Sequence, residues 1–140
     1  MTAARERMDR TIDEHFGFEA SDDIDGVLAT LTADVEHDIV GWPSGPTHGR
    51  EAARPFYEAL FADLSEGKVD CVKRLYGDNF LVDESIWRGK APGQPFGLDG
   101  RNRPLEFRLL HIIEFADGGA IKRENVWIDL AAIQRQLPQD

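Results

Sequence analysis

The chain has 140 residues, 41% of them hydrophobic and 30% charged, enough for one domain with a real core. Its net charge of −10 argues against nucleic acid, since phosphate binding needs a basic surface, and disfavours an acidic membrane face. No run approaches the roughly 20 apolar residues of a membrane span, and the opening MTAARERMDR lacks the apolar stretch of a secretory signal. The expectation is a cytoplasmic protein that binds neither nucleic acid nor membrane.

Taken in chain order, residues 5–16 predict a first helix, with Met8, Ile12 and His15 or Phe16 at helical spacing. Gly17 breaks it, and Ser21-Asp22-Asp23 signals the cap of a second helix with Ile24, Val27, Leu28 and Leu31 on one face. Residues 35–40 predict a short strand with Val35, His37 and Ile39 on one side. An ordered loop carrying Trp42 follows, and Gly49-Arg50-Glu51 opens a helix striped by Phe56, Leu60, Phe61 and Leu64.

After Gly67 the pattern changes to strands: 69–76, a Gly77-Asp78-Asn79 turn, then 80–88. A long Gly- and Pro-rich connection, 89–103, leads to two more strands, 105–115 and 121–128, joined across Asp117-Gly118. Asp129 caps a closing helix. No repeat or low-complexity segment is present. The layout is one α+β domain over residues 1–140, with helices on one face of a mainly antiparallel sheet. Cys71, the sole cysteine, permits no intramolecular disulfide and reads as a small buried hydrophobe. His15 and His48 read as surface or loop residues.

Polar residues inside apolar strands are the candidates for chemistry, because a buried polar group without a partner costs about 1–3 kcal/mol. In FLVDESIWRG the apolar positions place Phe80, Val82, Glu84 and Ile86 inward, so Glu84 is a carboxylate on an apolar face, suited to a general base or acid. The alternative is an ion-paired structural glutamate, bound to Arg108 or Arg123. His111 shares inward parity with Phe107, Leu109, Ile113 and Phe115, either facing a pocket or bonded within the core to backbone or Tyr57. A two-residue Asp117-Gly118 turn sets His111 opposite Glu124, whereas a three-residue loop sets it opposite Asn125 and pairs Phe115 with Ile121. His37 approaches from the first strand. His37, His111 and Glu84 would make a two-histidine, one-carboxylate set, but their spacing matches no metal signature, so no metal and no cofactor are expected. Trp42, Tyr57, Trp87 and Trp127 are candidates to line a pocket for a small hydrophobic molecule.

Asp34-Val35 to Gly41, GREA (Gly49 to Ala52), FYEALF (Phe56 to Phe61), FRLLHIIEFADGGAI and Asp129 before IQRQL, in this order over nearly the full chain, resemble the SnoaL-like branch of the NTF2-like superfamily. The resemblance implies a cone, a curved sheet wrapped around helices with a pocket at its wide end, and a homodimer through the outer sheet face. Leu110 and Ile112, apolar beside an apolar inward row, suit such a covered face. It further implies acid–base chemistry of the polyketide cyclase or ketosteroid isomerase kind: Glu84 or Glu124 as base, with His111 and Asn125 as donors to an enolate. Where relatives carry a His-Trp-Asp-like triplet this chain has Glu124-Asn125-Val126, so Val126 fills the catalytic aspartate position. The Asp-Arg-Asp set of the limonene epoxide hydrolases would fall near Ser85, Trp87 and Val126, and none of its residues is kept. A non-catalytic, small-molecule-binding dimer is the rival reading.

Overall fold

The computed structural model describes residues 2–140. Helix α1 (Ala3–Ala20) continues through Gly17, and the Thr2 side chain caps it by accepting from the Arg5 amide. Its buried stripe is Met8, Ile12 and His15, one residue per turn. His15 is therefore a core residue and not the surface residue expected. Asp23 caps α2 (Ile24–Ala29), and the chain enters β1 (Leu31–Val40), which begins before residue 35 and buries Leu31, Val35, His37 and Ile39. A two-residue strand β2 (Thr47–His48) precedes α3 (Arg50–Asp63), whose buried residues are Ala53 and Tyr57.

The remaining strands are β3 (Ser65–Tyr76), β4 (Phe80–Ala91), β5 (Arg103–Phe115) and β6 (Ile121–Ile128), closed by α4 (Leu130–Gln136) under its Asp129 cap. They form one curved, unclosed sheet in the order β2-β1-β6-β5-β4-β3, antiparallel except for the parallel β1–β6 pair. This is the expected α+β cone. One core cluster joins α1, α2 and α3 to the sheet through Met8, Ile12, Leu28, Tyr57, Ile113 and Phe115. A second, at the other end of the sheet, joins α4 to it through Leu64, Leu105, Phe107, Ile133 and Leu137. Among the described residues no helix is long and apolar enough to cross a membrane.

Two register details decide which polar residues face inward. The β5–β6 loop is Asp117-Gly118-Gly119: the Ala116 amide donates to the Ala120 carbonyl at 2.8 Å, and Gly119 holds a φ of +97°. Phe115 pairs with Ile121, as a three-residue loop requires. An irregularity then shifts the ladder, setting Ile113 opposite Glu124 and His111 opposite Val126. Neither predicted partner of His111 is the observed one.

The β4 parity is the reverse of that expected. Leu81, Asp83 and Ser85 are the buried positions, and Val82, Glu84 and Ile86 lie on the outer face, paired with Ile112, Leu110 and Arg108. The apolar alternation in this strand belongs to the outer face, which carries a hydrophobic patch of its own, so reading inward from it inverted the strand. Cys71 is exposed, not buried, because β3 is an edge strand with few residues above it.

Gly100 sits where its amide donates to the Gly93 carbonyl at 2.9 Å, and a β-carbon there would run into the backbone carbonyl of Ala91. Gly100→Ala should therefore cost about 1–3 kcal/mol in urea unfolding, as overpacking does. Gly118→Ala, at a position with open space around it, should change stability by less than about 0.5 kcal/mol.

Candidate active site

Between the helices and the concave face of the sheet lies a cavity of about 460 Å³, within the range of small-molecule sites. Phe16, Phe56, Leu60, Trp87, Phe107 and Leu109 form much of its apolar wall, with Val126 and Ile128 from β6. Trp87 stacks on Phe107 with ring centroids 5.2 Å apart. The polar groups among its lining include His111, Glu124 and Glu19.

Glu124 is 2% exposed and cannot hold a charge there without partners. The parallel β1–β6 ladder places His37 beside it, α1 brings His15 over it, and α3 adds Tyr57. The His15 Nε2 lies 3.2 Å from each Glu124 oxygen and 2.7 Å from Glu19 Oε1, one turn further along α1. The Nδ1 of the same ring is 2.8 Å from Thr30 Oγ1, whose hydroxyl donates to the Val27 carbonyl at 2.6 Å, so Nδ1 carries a proton. Burial opposes the charge on His15, but Glu124 and Glu19 overrule it and push its pKa up to about 10. Burial would raise the Glu124 carboxyl; the His15 imidazolium instead holds it well below the usual range. The Tyr57 hydroxyl donates to Glu124 Oε2 at 2.8 Å and accepts from His37 Nε2 at 3.2 Å. Burial keeps His37 neutral by lowering its pKa, and raises that of Tyr57 well above its ordinary value.

His111 is held differently. Its ring lines the cavity, 4.9 Å from that of Phe16, and burial lowers its pKa, so the imidazole is neutral. Its Nδ1 is buried without a partner, 3.9 Å from Asp83 Oδ1 on the paired strand. Asp83 is itself fully buried, accepts from the Ser85 hydroxyl, and pairs with Arg74 at 2.9 Å. Arg74 in turn bonds Asp9 and Asp13 of α1, at 2.8 and 3.1 Å.

Of the residues singled out from sequence, His111, Glu124 and Trp87 line the cavity, and His37 and Tyr57 stand behind Glu124. Trp42 packs edge-on against Phe56 and Phe96, two lining residues, and supports the wall from behind. Glu84, Asn125 and Trp127 do not reach the cavity. Asn125 and Trp127 share the outer face: the Trp127 indole donates to Asn125 Oδ1 at 2.8 Å, and Asn125 donates to the Asp38 carbonyl at 3.2 Å. The β6 irregularity that turns Glu124 inward turns Asn125 outward. Sequence reasoning missed His15, Glu19 and Asp83. The Met8-Ile12-His15 spacing carried the first, and a corrected β4 parity would have carried the last.

The family model for SnoaL-like polyketide cyclases matches residues 6–137. No curated protein sequence matches the chain. A protein from Jannaschia sp. CCS1 described as a SnoaL-like polyketide cyclase superposes with a TM-score of 0.87 at 15% identity, over 100% of this chain and 97% of that one. A polyketide cyclase-like protein from Xanthomonas campestris pv. campestris gives 0.77 at 19% identity, covering 96% of this chain and 99% of that one. An epoxide hydrolase of the limonene epoxide hydrolase type from M. tuberculosis gives 0.72 at 16%, covering 94% and 90%. At these identities the structures share the fold.

The buried ion cluster makes stability depend on pH from both sides. His15, with its folded pKa raised to about 10 from 6.5, contributes fully below 6.5 and loses that contribution as pH rises through about 10. Glu124, depressed from 4.5, contributes above 4.5 and loses it as pH falls below. The neutral His37 and His111, depressed from 6.5, favour folding most above that value. Thermal melts should therefore peak close to pH 6.5 and fall toward pH 10, and His15→Gln should flatten the alkaline fall.

Proposed function

The chain belongs to the SnoaL-like polyketide cyclase family, and we propose that it is an enzyme of the cyclase or isomerase type that moves a proton on a small, largely apolar carbonyl compound, with His111 as the general base. The observation that carries this reading is a neutral histidine on the cavity wall whose buried Nδ1 has no partner but lies 3.9 Å from a buried carboxylate, Asp83. A small rotation makes that contact a hydrogen bond. Asp83 then holds the Nδ1 proton, and Nε2 is left to take a proton from carbon alpha to a carbonyl. The imidazolium so formed would stand between Asp83 and the developing enolate, with opposite charge on both sides.

Glu84 has no part in this reading, since it lies on the outer face. Glu124 serves as fixed charge: with His15 and Tyr57 on its oxygens and its pKa depressed, it is a poor base. The hydrophobic wall favours an aromatic or polycyclic ligand over a charged one. Asp-Arg-Asp epoxide opening is disfavoured, because Ser85, Trp87 and Val126 supply none of its groups. One observation supports a non-catalytic ligand-binding role instead: Val126 stands at the family's aspartate position and lines the cavity without any acid–base group.

Turnover of aromatic polyketide or enolisable ketone candidates separates the two readings. His111→Gln should lower kcat by about 10²- to 10⁴-fold in a protein that still folds, with only the acid side of its melting profile altered, whereas Glu84→Gln should leave kcat unchanged. Ligand binding by the parent with no turnover of any candidate would decide for the binding role.

A homodimer through the outer face is part of the same proposal. Leu75, Val82, Ile86, Leu110, Ile112 and Trp127 form an apolar patch there, with Leu75 and Trp127 53% and 49% exposed. Sedimentation of the parent should report a dimer, and Leu110→Asp should shift it toward monomer without loss of ligand binding.

A further inference from the structure

We propose that His15, Glu19 and Glu124 form a binding site for a divalent first-row transition-metal ion on the cavity wall. The two-histidine, one-carboxylate set conceivable from sequence cannot assemble, because Glu84 faces away from His37 and His111. A different set converges. His15 and Glu19 lie one turn apart on α1, and Glu124 comes up from β6 to meet them.

Three observations point to a cation here. One donor atom from each residue lies within 4.8 Å of the others. The 3.2 Å from His15 Nε2 to Glu124 is close to the donor spacing of about 3.4 Å around a tetrahedral ion with metal–ligand bonds of about 2.1 Å, and the 2.7 Å to Glu19, a hydrogen bond in the ion-free site, would open toward it on binding. The His15 ring is also oriented as metal-bound histidines are. Its Nδ1–H is fixed on Thr30, which donates onward to Val27, and this leaves Nε2 aimed at the carboxylates. The third observation is charge. Two carboxylates against one imidazolium leave a surplus negative charge in a site where Glu124 is 2% and Glu19 22% exposed. Among the described residues, neither carboxylate has a lysine or arginine partner in a salt bridge. A divalent ion with neutral His15 balances the site; the protonated histidine does not.

Binding replaces one cation with another. The ion takes the Nε2 lone pair, the Nε2 proton leaves to solvent, and the Nδ1 proton stays on Thr30. One imidazole and two carboxylates suit zinc, cobalt or iron(II) more than calcium or magnesium. Glu19 and Glu124 both line the cavity, so the ion would be reached from there and would turn its open positions to whatever the cavity holds. The inference is independent of His111, which is not a ligand, so either proposal can fail alone.

The test is calorimetric titration of chelator-stripped protein with Zn²⁺, and with Co²⁺ followed by its visible absorption. The parent should take up one ion per chain and release about one proton, read from the dependence of the heat on buffer ionisation. Glu19→Gln, at the more exposed end of the cluster, should keep the fold and weaken binding at least tenfold; His15→Ala should abolish the cobalt spectrum. His48→Ala, an exposed control, should change nothing. Absence of stoichiometric binding in the parent would overturn the proposal and leave a closed imidazolium–carboxylate cluster. Undiminished binding in Glu19→Gln, or loss of binding in His48→Ala, would overturn it equally.

Discussion

A buried carboxylate at the centre of the sheet, Glu124, is the constraint around which the inner face is arranged. Removing such a group from water costs several kcal/mol, which only close counter-charge and hydrogen bonds offset. The partners come from different parts of the chain: His15 from α1, Tyr57 from α3, and His37 from β1 behind the tyrosine. The charge requirement of one side chain thus ties both long helices to the sheet at fixed positions. Deleting one partner of such a pair leaves an uncompensated charge and costs about 3–5 kcal/mol, so the helices are held by electrostatics as well as by the apolar cluster of Met8, Ile12 and Ile113.

That arrangement divides the polar interior into two halves with different chemical availability. Around Glu124 the hydrogen bonds are satisfied: His15 donates through both ring nitrogens, and Tyr57 both donates and accepts. Around Asp83 the charge is also met, by Arg74 and Ser85, but the neighbouring His111 is left with an unpaired nitrogen. An unsatisfied buried nitrogen costs about 1–3 kcal/mol, and a catalytic role or an ordered water is among the things that offset such a cost. Burial keeps His111 uncharged, the form in which an imidazole accepts a proton.

The hairpin, the Asp129 cap and the α3 stripe were legible because each rests on local chemistry: turn residues, capping oxygens, helical period. The face of β4 was not. Phe80, Val82 and Ile86 alternate as an inward row does, but the outer face carries a hydrophobic patch of its own, and alternation alone does not say which face is which. Asp83 and Ser85 bond each other, and Arg74 faces Asp83 across the β3–β4 pair; what sequence does not carry is that α1, remote in the chain, lies over Arg74 through Asp9 and Asp13. The choice between Glu124 and Asn125 turned on a single irregularity near Lys122, which no turn rule encodes. His15 was within reach, since it completes the Met8-Ile12 stripe. Its helical period, and not its polar side chain, decides that it lies in the core.

The inner face also explains how the chain can lack an acid at Val126 and still carry an acid–base group. Val126 is the residue paired directly with His111 across β5–β6, and Asp83 is the residue paired with His111 across β4–β5. Those pairs place a carboxylate on one side of the histidine and an apolar wall on the other. With its acidic neighbour on β4 and Val126 on β6, the histidine keeps a carboxylate beside it that is withdrawn from the cavity, where Arg74 neutralises it and Val126 presents a methyl surface instead. The histidine, and not the carboxylate, then becomes the group a ligand meets. On the proposed reading, a histidine that burial keeps neutral would serve as base without the desolvated negative charge that an exposed aspartate would bring to an apolar pocket.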